Sequence, residues 1–176
     1  MTSTPLPEFS ELKHKIFALL YETSDLLLKC EDAAYGESGL SQQQYLVLLS
    51  IECFNNSPAR IIDIARMVNR NPNSISMIAD RMERGGLVVR VIDLPDKRSV
   101  RLLLTDKGKE KLDQASKLGL GLIVRLTACF SEEELETLAC LIGKLREQTF
   151  GELNPGKTIE DIGKPDMKVV KKLLYG

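Results

Sequence analysis

Apolar positions recur three or four residues apart along most of the chain, and the places where that rhythm breaks divide it into elements. Phe9, Leu12, Ile16, Leu19, Leu20, Leu26 and Leu27 predict a first helix over 9–35, ended by Gly36 to Gly39. Ser41 reads as the N-cap of a second helix. Gln44, three residues on, completes a capping box, and Tyr45, Leu48, Leu49 and Ile51 form the apolar side. The turn-rich run Asn55-Asn56-Ser57-Pro58 stops it. Ile61, Ile64, Ala65 and Val68 then predict a third helix over 58–68, followed by a short break at Asn69 to Asn71. Asn71 is placed to cap a fourth helix, 72–84, whose first residue, Pro72, has no N–H to leave unpaired. Its apolar stripe is Ile75, Ile78 and Met82, and Gly85-Gly86 is its stop.

The period then changes. Leu87 to Ile92 is rich in branched residues and predicts a strand, Asp93-Leu94-Pro95-Asp96 a turn, and Val100 to Leu104 the returning strand. Thr105 caps a long helix running to about Phe130, weakened locally by Gly119 and Gly121. Ser131 and Glu134 form a second capping box, opening a helix that carries Leu135, Leu138, Leu141, Ile142 and Leu145. Residues 151–165 read as loop, with Asn154-Pro155-Gly156 and Gly163-Lys164-Pro165. Asp166 to Tyr175 reads as a short basic amphipathic helix. The fold class is therefore mainly α with a small β-hairpin wing. Two short helices joined by a tight turn and followed by a hairpin make a winged helix-turn-helix. The chain divides into an N-terminal helix (1–40), the winged region (41–105), two further helices (106–150) and an extension (151–176).

A helix-turn-helix offers its second helix to the DNA major groove. With Ile75, Ile78 and Met82 turned inward, Asn71, Asn73, Ser74, Ser76 and Met77 remain outward near its start. Short polar groups reach base edges and phosphates, and Asn can bond bidentately to adenine. The same residues are equally ordinary as capping and first-turn residues. The hairpin tips the balance. Lys97 and Arg98 directly follow the turn, and an arginine there can enter the narrow, negative minor groove. Asp93 or Asp96 can pair with Arg98 or Arg90 and hold the wing in shape. The plainer alternative is a solvated tip, where ion pairs contribute only ~0–1 kcal/mol.

Charge sharpens this picture. The chain of 176 residues carries a net charge of −1, yet residues 66–101 hold +4 and the remainder −5. A local basic surface of this kind suits double-stranded DNA. With 43% hydrophobic and 28% charged residues, the composition is that of a globular protein. No apolar run approaches the ~20 residues of a membrane span, and Met1 to Ser10 has no secretory pattern, so a cytoplasmic protein without membrane contact is expected. Cys30, Cys53, Cys129 and Cys140 lack metal-ligand spacing, and His14 is the only histidine. Each cysteine lies in an apolar helical stretch, so buried free thiols are expected. Neither a nucleophile elbow nor a phosphate-binding glycine loop is present, and Glu132 to Glu134 simply suit a helix N-terminus. No enzyme activity and no cofactor are indicated.

Residues 81–108 resemble the signature of the MarR family of winged helix-turn-helix transcriptional regulators. Gly86, Leu87, Val88 and Arg90 match its strand, Asp93, Asp96 and Arg98 its wing, and Leu104, Thr105 and Gly108 the start of the next helix. The helical layout of residues 9–150 also fits. Two details of the wing differ. Leu94-Pro95 replaces the more usual Pro-x order, and Lys97 stands where arginine is common, keeping the charge without the planar fork. The tail after residue 150 is longer than the family needs. Its Met167, Val170, Leu173 and Leu174 favour packing over exposure.

The resemblance implies an intertwined helical homodimer, built by the first and the last two helices, that represses transcription from a pseudo-palindromic operator. It implies Arg98 as the minor-groove residue, Asp96 orienting it, and base or phosphate contacts from Ser74 and Ser76. It also implies a small aromatic or phenolic effector, bound between the DNA-binding and dimerisation parts, that releases DNA. The rival reading is a winged helix used only for protein–protein contact.

Overall fold

The computed structural model describes residues 11–54, 57–92 and 100–157. Along the chain run α1 (Glu11–Gly36), α2 (Gln42–Glu52), β1 (Ala59–Arg60), α3 (Ile61–Met67), α4 (Pro72–Arg84), β2 (Val88–Ile92), β3 (Val100–Leu104), α5 (Asp106–Thr127) and α6 (Glu132–Leu153). The strands form one antiparallel sheet in the order β1-β3-β2. This is the winged helix-turn-helix expected from the sequence.

Helix starts follow the local chemistry. Ser41 Oγ accepts from the Gln44 N–H while Gln44 Oε1 accepts from the Ser41 N–H. The same reciprocal box joins Ser131 and Glu134. At α4, Asn71 Oδ1 accepts from the Asn73 N–H at 2.8 Å, with Pro72 in the first turn. Thr105 both caps and ties: its Oγ1 accepts from the Gly108 N–H and donates to the Gly86 carbonyl at 2.7 Å. Gly86 takes φ +71°, and Asn69, in the break between α3 and α4, takes φ +50°. These are left-handed positions that favour Gly and Asn.

Three boundaries differ from expectation. The third helix starts at Ile61 rather than 58, because Ala59 and Arg60 pair as a strand with Leu102 and Arg101 of β3. The long helix α5 closes at Thr127, with Ala128 as its cap, rather than at Phe130. The last helix continues through Gly151 to Leu153 before Asn154 ends it. The expected tail helix, Asp166 to Tyr175, lies outside the described residues.

One core unites the winged region with its flanks. Leu48, Ile64, Ile75, Met82, Leu102 and Leu112 are fully buried, joined by Tyr35 of α1 and Ala115 of α5. Tyr35 and Tyr45 stack with ring centroids 4.3 Å apart. Tyr45 Oη receives a 3.5 Å hydrogen bond from Ser116 Oγ. At Gly119 a Cβ would meet the Tyr35 ring and hydroxyl at 3.0 Å, so the glycine that weakens α5 as a helix allows this tyrosine to pack. Burial pushes both phenols above their usual pKa. Asp32 Oδ1 also accepts from the Gln42 N–H at 2.8 Å, so α1 is tied to the first turn of α2.

Beyond this joint the long helices lack cover. Ala34 and Tyr35 are the buried residues of α1, and α6 buries none. Leu12, Phe17, Leu26, Val124 and Leu141 are all more than half exposed. The expected burial of the cysteines fails too, for Cys30, Cys129 and Cys140 because they lie on or beside these helices. Cys30 and Cys53 are half-buried, and Cys129 and Cys140 are exposed.

Candidate nucleic-acid interface

Helix α4 has two faces. Ile75, Ile78, Ala79 and Met82 enter the core, whereas Asn73, Ser74, Met77, Arg81 and Arg84 face outward. Asn71, Asn73, Ser74 and Met77 are thus exposed as expected, Met77 by 64%. Asn71 spends its side-chain oxygen on the cap. Ser76 corrects the expectation: it is half-buried, and its carbonyl accepts from Arg90 Nη2 at 3.4 Å.

Arg90, on β2, is the bracket between wing and helix. Its Nη2 lies 2.5 Å from Asp80 Oδ1, and its Nε lies 3.5 Å from Glu83 Oε2. That second approach is an ion pair without hydrogen-bond geometry. The other oxygen of Glu83 accepts the Arg90 backbone N–H at 3.3 Å. The sequence offered Asp93 or Asp96 as a partner of Arg98 or Arg90, a pairing that lies outside the described residues. The partners of Arg90 that are described, Asp80 and Glu83, are acids of α4 that the sequence reading did not name as such. Both lie on the turn of helix beside β2 once Gly85-Gly86 folds the chain back. The signal for them was their three-residue spacing, which places two carboxylates on one helix edge. Asp93, Asp96, Lys97 and Arg98 of the wing, with the turn Leu94-Pro95, lie outside the described residues.

Sequence reasoning also missed a cavity of about 250 Å³ between α2, the end of α3 and the outward side of α4. Gln42 and Gln43 line it from α2, with Arg70, Ser74, Met77 and Arg81 opposite. Arg70 and Arg81, with Arg84 a turn beyond, give this side its cations, and Ser74 and Met77 lie with them along the cavity. Cations of this kind can pair with phosphates, and short polar groups can reach base edges. Among the described residues no cluster of acids, histidines or cysteines could hold a metal ion. No helix there is long and apolar enough to cross a membrane.

Known proteins share this arrangement. The family model of the MarR family matches residues 40–100. A curated relative, the uncharacterized HTH-type transcriptional regulator YkoM of Bacillus subtilis, is 31% identical over 108 residues, which cover 61% of this chain and 69% of YkoM. Among solved structures, the organohalide-sensing RdhR transcriptional regulator bound to 2,4-dichlorophenol superposes with a TM-score of 0.75. It is 23% identical, with 89% of this chain and 94% of that chain covered. A mutant of E. coli MarR in complex with operator DNA gives a TM-score of 0.67 at 24% identity, covering 77% of this chain and 99% of that one. The winged helix-turn-helix, the matched family model and the identity to YkoM together place the chain in the MarR family of transcriptional regulators.

Proposed function

We propose that the chain is a homodimeric repressor that binds double-stranded DNA at a pseudo-palindromic operator. The observation that carries this reading is the outward stripe of α4 beside the hairpin, with Arg90 bracketing the two. The recognition helix enters the major groove with Asn73, Ser74 and Met77 foremost. Asn71 organises its N-terminus, and the Ser76 backbone anchors it to Arg90. Lys97 and Arg98 of the wing reach the adjacent minor groove, with Asp93 and Asp96 shaping the wing. The bound dimer covers about two turns of DNA and so excludes the transcription machinery from an overlapping promoter.

The dimer follows from the uncovered apolar faces of α1, α5 and α6, which exceed what a monomer leaves to water. A two-fold axis lets these faces cover one another and points two α4 helices the same way. A small aromatic or phenolic effector, held near the joint of α1, α2 and α5, tilts the two heads and releases DNA. The solved RdhR structure, with its dichlorophenol, supports that role. The protein acts by binding rather than by catalysis, and in the cytoplasm.

Enrichment of random duplexes by the purified protein at two salt concentrations tests the reading. A pseudo-palindrome is expected, bound less tightly at higher salt and less tightly by Arg98→Ala. No enrichment even at low salt contradicts it and favours a module for protein–protein contact.

A further inference from the structure

Two side chains lead the outward stripe of α4, and neither is built to read guanine. Asn73 and Met77 stand one helical turn apart on the exposed side, with Ser74 between them on the same face. Guanine is most often read by a two-pronged donor, Arg or Lys. The first eight residues of α4, Pro72 to Ala79, contain neither. The first arginine is Arg81, whose Nε is turned back onto the Met77 carbonyl at 3.4 Å. Asn73 is different. Its own N–H goes to the Asn71 cap, and no side-chain hydrogen bond occupies its amide among the described residues. A free amide at this place offers one donor and one acceptor, the complement of the adenine edge.

Met77 is 64% exposed at the centre of the stripe. A thioether has no donor and is only a weak acceptor. It therefore cannot satisfy the polar edges of a G·C pair. The one apolar feature of the major groove is the C5-methyl of thymine. A long, flexible, polarisable side chain adapts to a methyl well.

We infer that the half-site core under α4 is A·T, with Met77 reading one or two thymine methyl groups and Asn73 the adenine edge beside them. This rests on the reading of α4 as a recognition helix and names what that helix recognises. The partner is thus a duplex whose specificity includes an apolar contact, sensitive to a methyl group and insensitive to salt.

The test replaces each thymine of the enriched operator in turn by deoxyuridine, which keeps the pairing edge and removes only the methyl. Wild-type protein and Met77→Ala are titrated against each duplex. Met77 is exposed, so its truncation leaves the core intact. For the wild type, about a fourfold loss is expected at one or two thymines per half-site, the worth of one buried methyl-sized group. Met77→Ala is expected to bind the thymine operator more weakly and to ignore the substitution at those positions. Equal binding of thymine and deoxyuridine operators by the wild type, a methyl preference retained by Met77→Ala, or a G·C core would overturn this inference and leave the operator reading standing. Failure to enrich any duplex would overturn both.

Discussion

Arg90 ties two elements together from its place on a strand. It spans from β2 to Asp80 and Glu83, and its side chain is 28% exposed. Removing the guanidinium in Arg90→Ala leaves two carboxylates without it and is expected to cost about 1–2 kcal/mol of stability. The same change should weaken operator binding at least about tenfold, because α4 and the wing lose their fixed angle. Asp80→Asn with Glu83→Gln makes a sharper test. Charge alone predicts tighter DNA binding once two acids leave the surface, whereas the bracket predicts weaker binding. Titration of both variants by fluorescence anisotropy separates the two. The Tyr35–Tyr45 pair makes a second residue-scale prediction. Both phenols titrate above the ordinary value of 10.0 in the folded chain, chiefly through burial. The unfolded chain therefore loses these protons first. The pair's contribution is full below that value and falls as pH rises past it. Phenolate absorbance should show neither tyrosine titrating until the chain unfolds; normal titration with the fold intact would contradict the packing.

At the scale of elements, the start of α5 shows what a short motif encodes. Gly108 lies under the Leu87 carbonyl, and a Cβ there would fall 2.1 Å from that oxygen. The backbone cannot yield cheaply because Thr105 ties both sides together, donating to the Gly86 carbonyl and accepting from the Gly108 N–H. Gly108→Ala is expected to destabilise the protein by at least about 3 kcal/mol, although alanine is the better helix former. Thermal melts beside Gly143→Ala, where a Cβ meets nothing within 4 Å, give the contrast. Features of this local kind were legible. The caps at Ser41, Asn71, Thr105 and Ser131 and the turn at Gly85-Gly86 follow from side chains within three residues of each boundary. The strand Ala59–Arg60 was not, since its reason is pairing with Leu102 and Arg101, some forty residues away. Nor was the orientation of Arg90, which depends on how β2 lies across α4.

The whole molecule explains the other mismatch. The buried cysteines were inferred from apolar stretches, and those stretches are apolar, but in one chain much of their surface meets water. Periodicity marks an apolar face but does not specify what, if anything, covers it. A homodimer is the proposed state, with its contacts expected on the exposed apolar faces of α1 and α6. Leu12→Asp with Leu141→Asp should shift the protein toward monomer in analytical ultracentrifugation, since each charge would be buried unpaired in the interface. The winged region should keep its fold, because neither residue belongs to its core. A double variant that remains dimeric would move the interface elsewhere. In the proposed complex, two copies of α4 read two half-sites from one face of DNA. Hydroxyl-radical footprinting of the enriched duplex checks this arrangement. Two protected patches on the same face, one helical turn (~10 bp) apart, are expected from one dimer. A single patch, or protection without that phase, would contradict it.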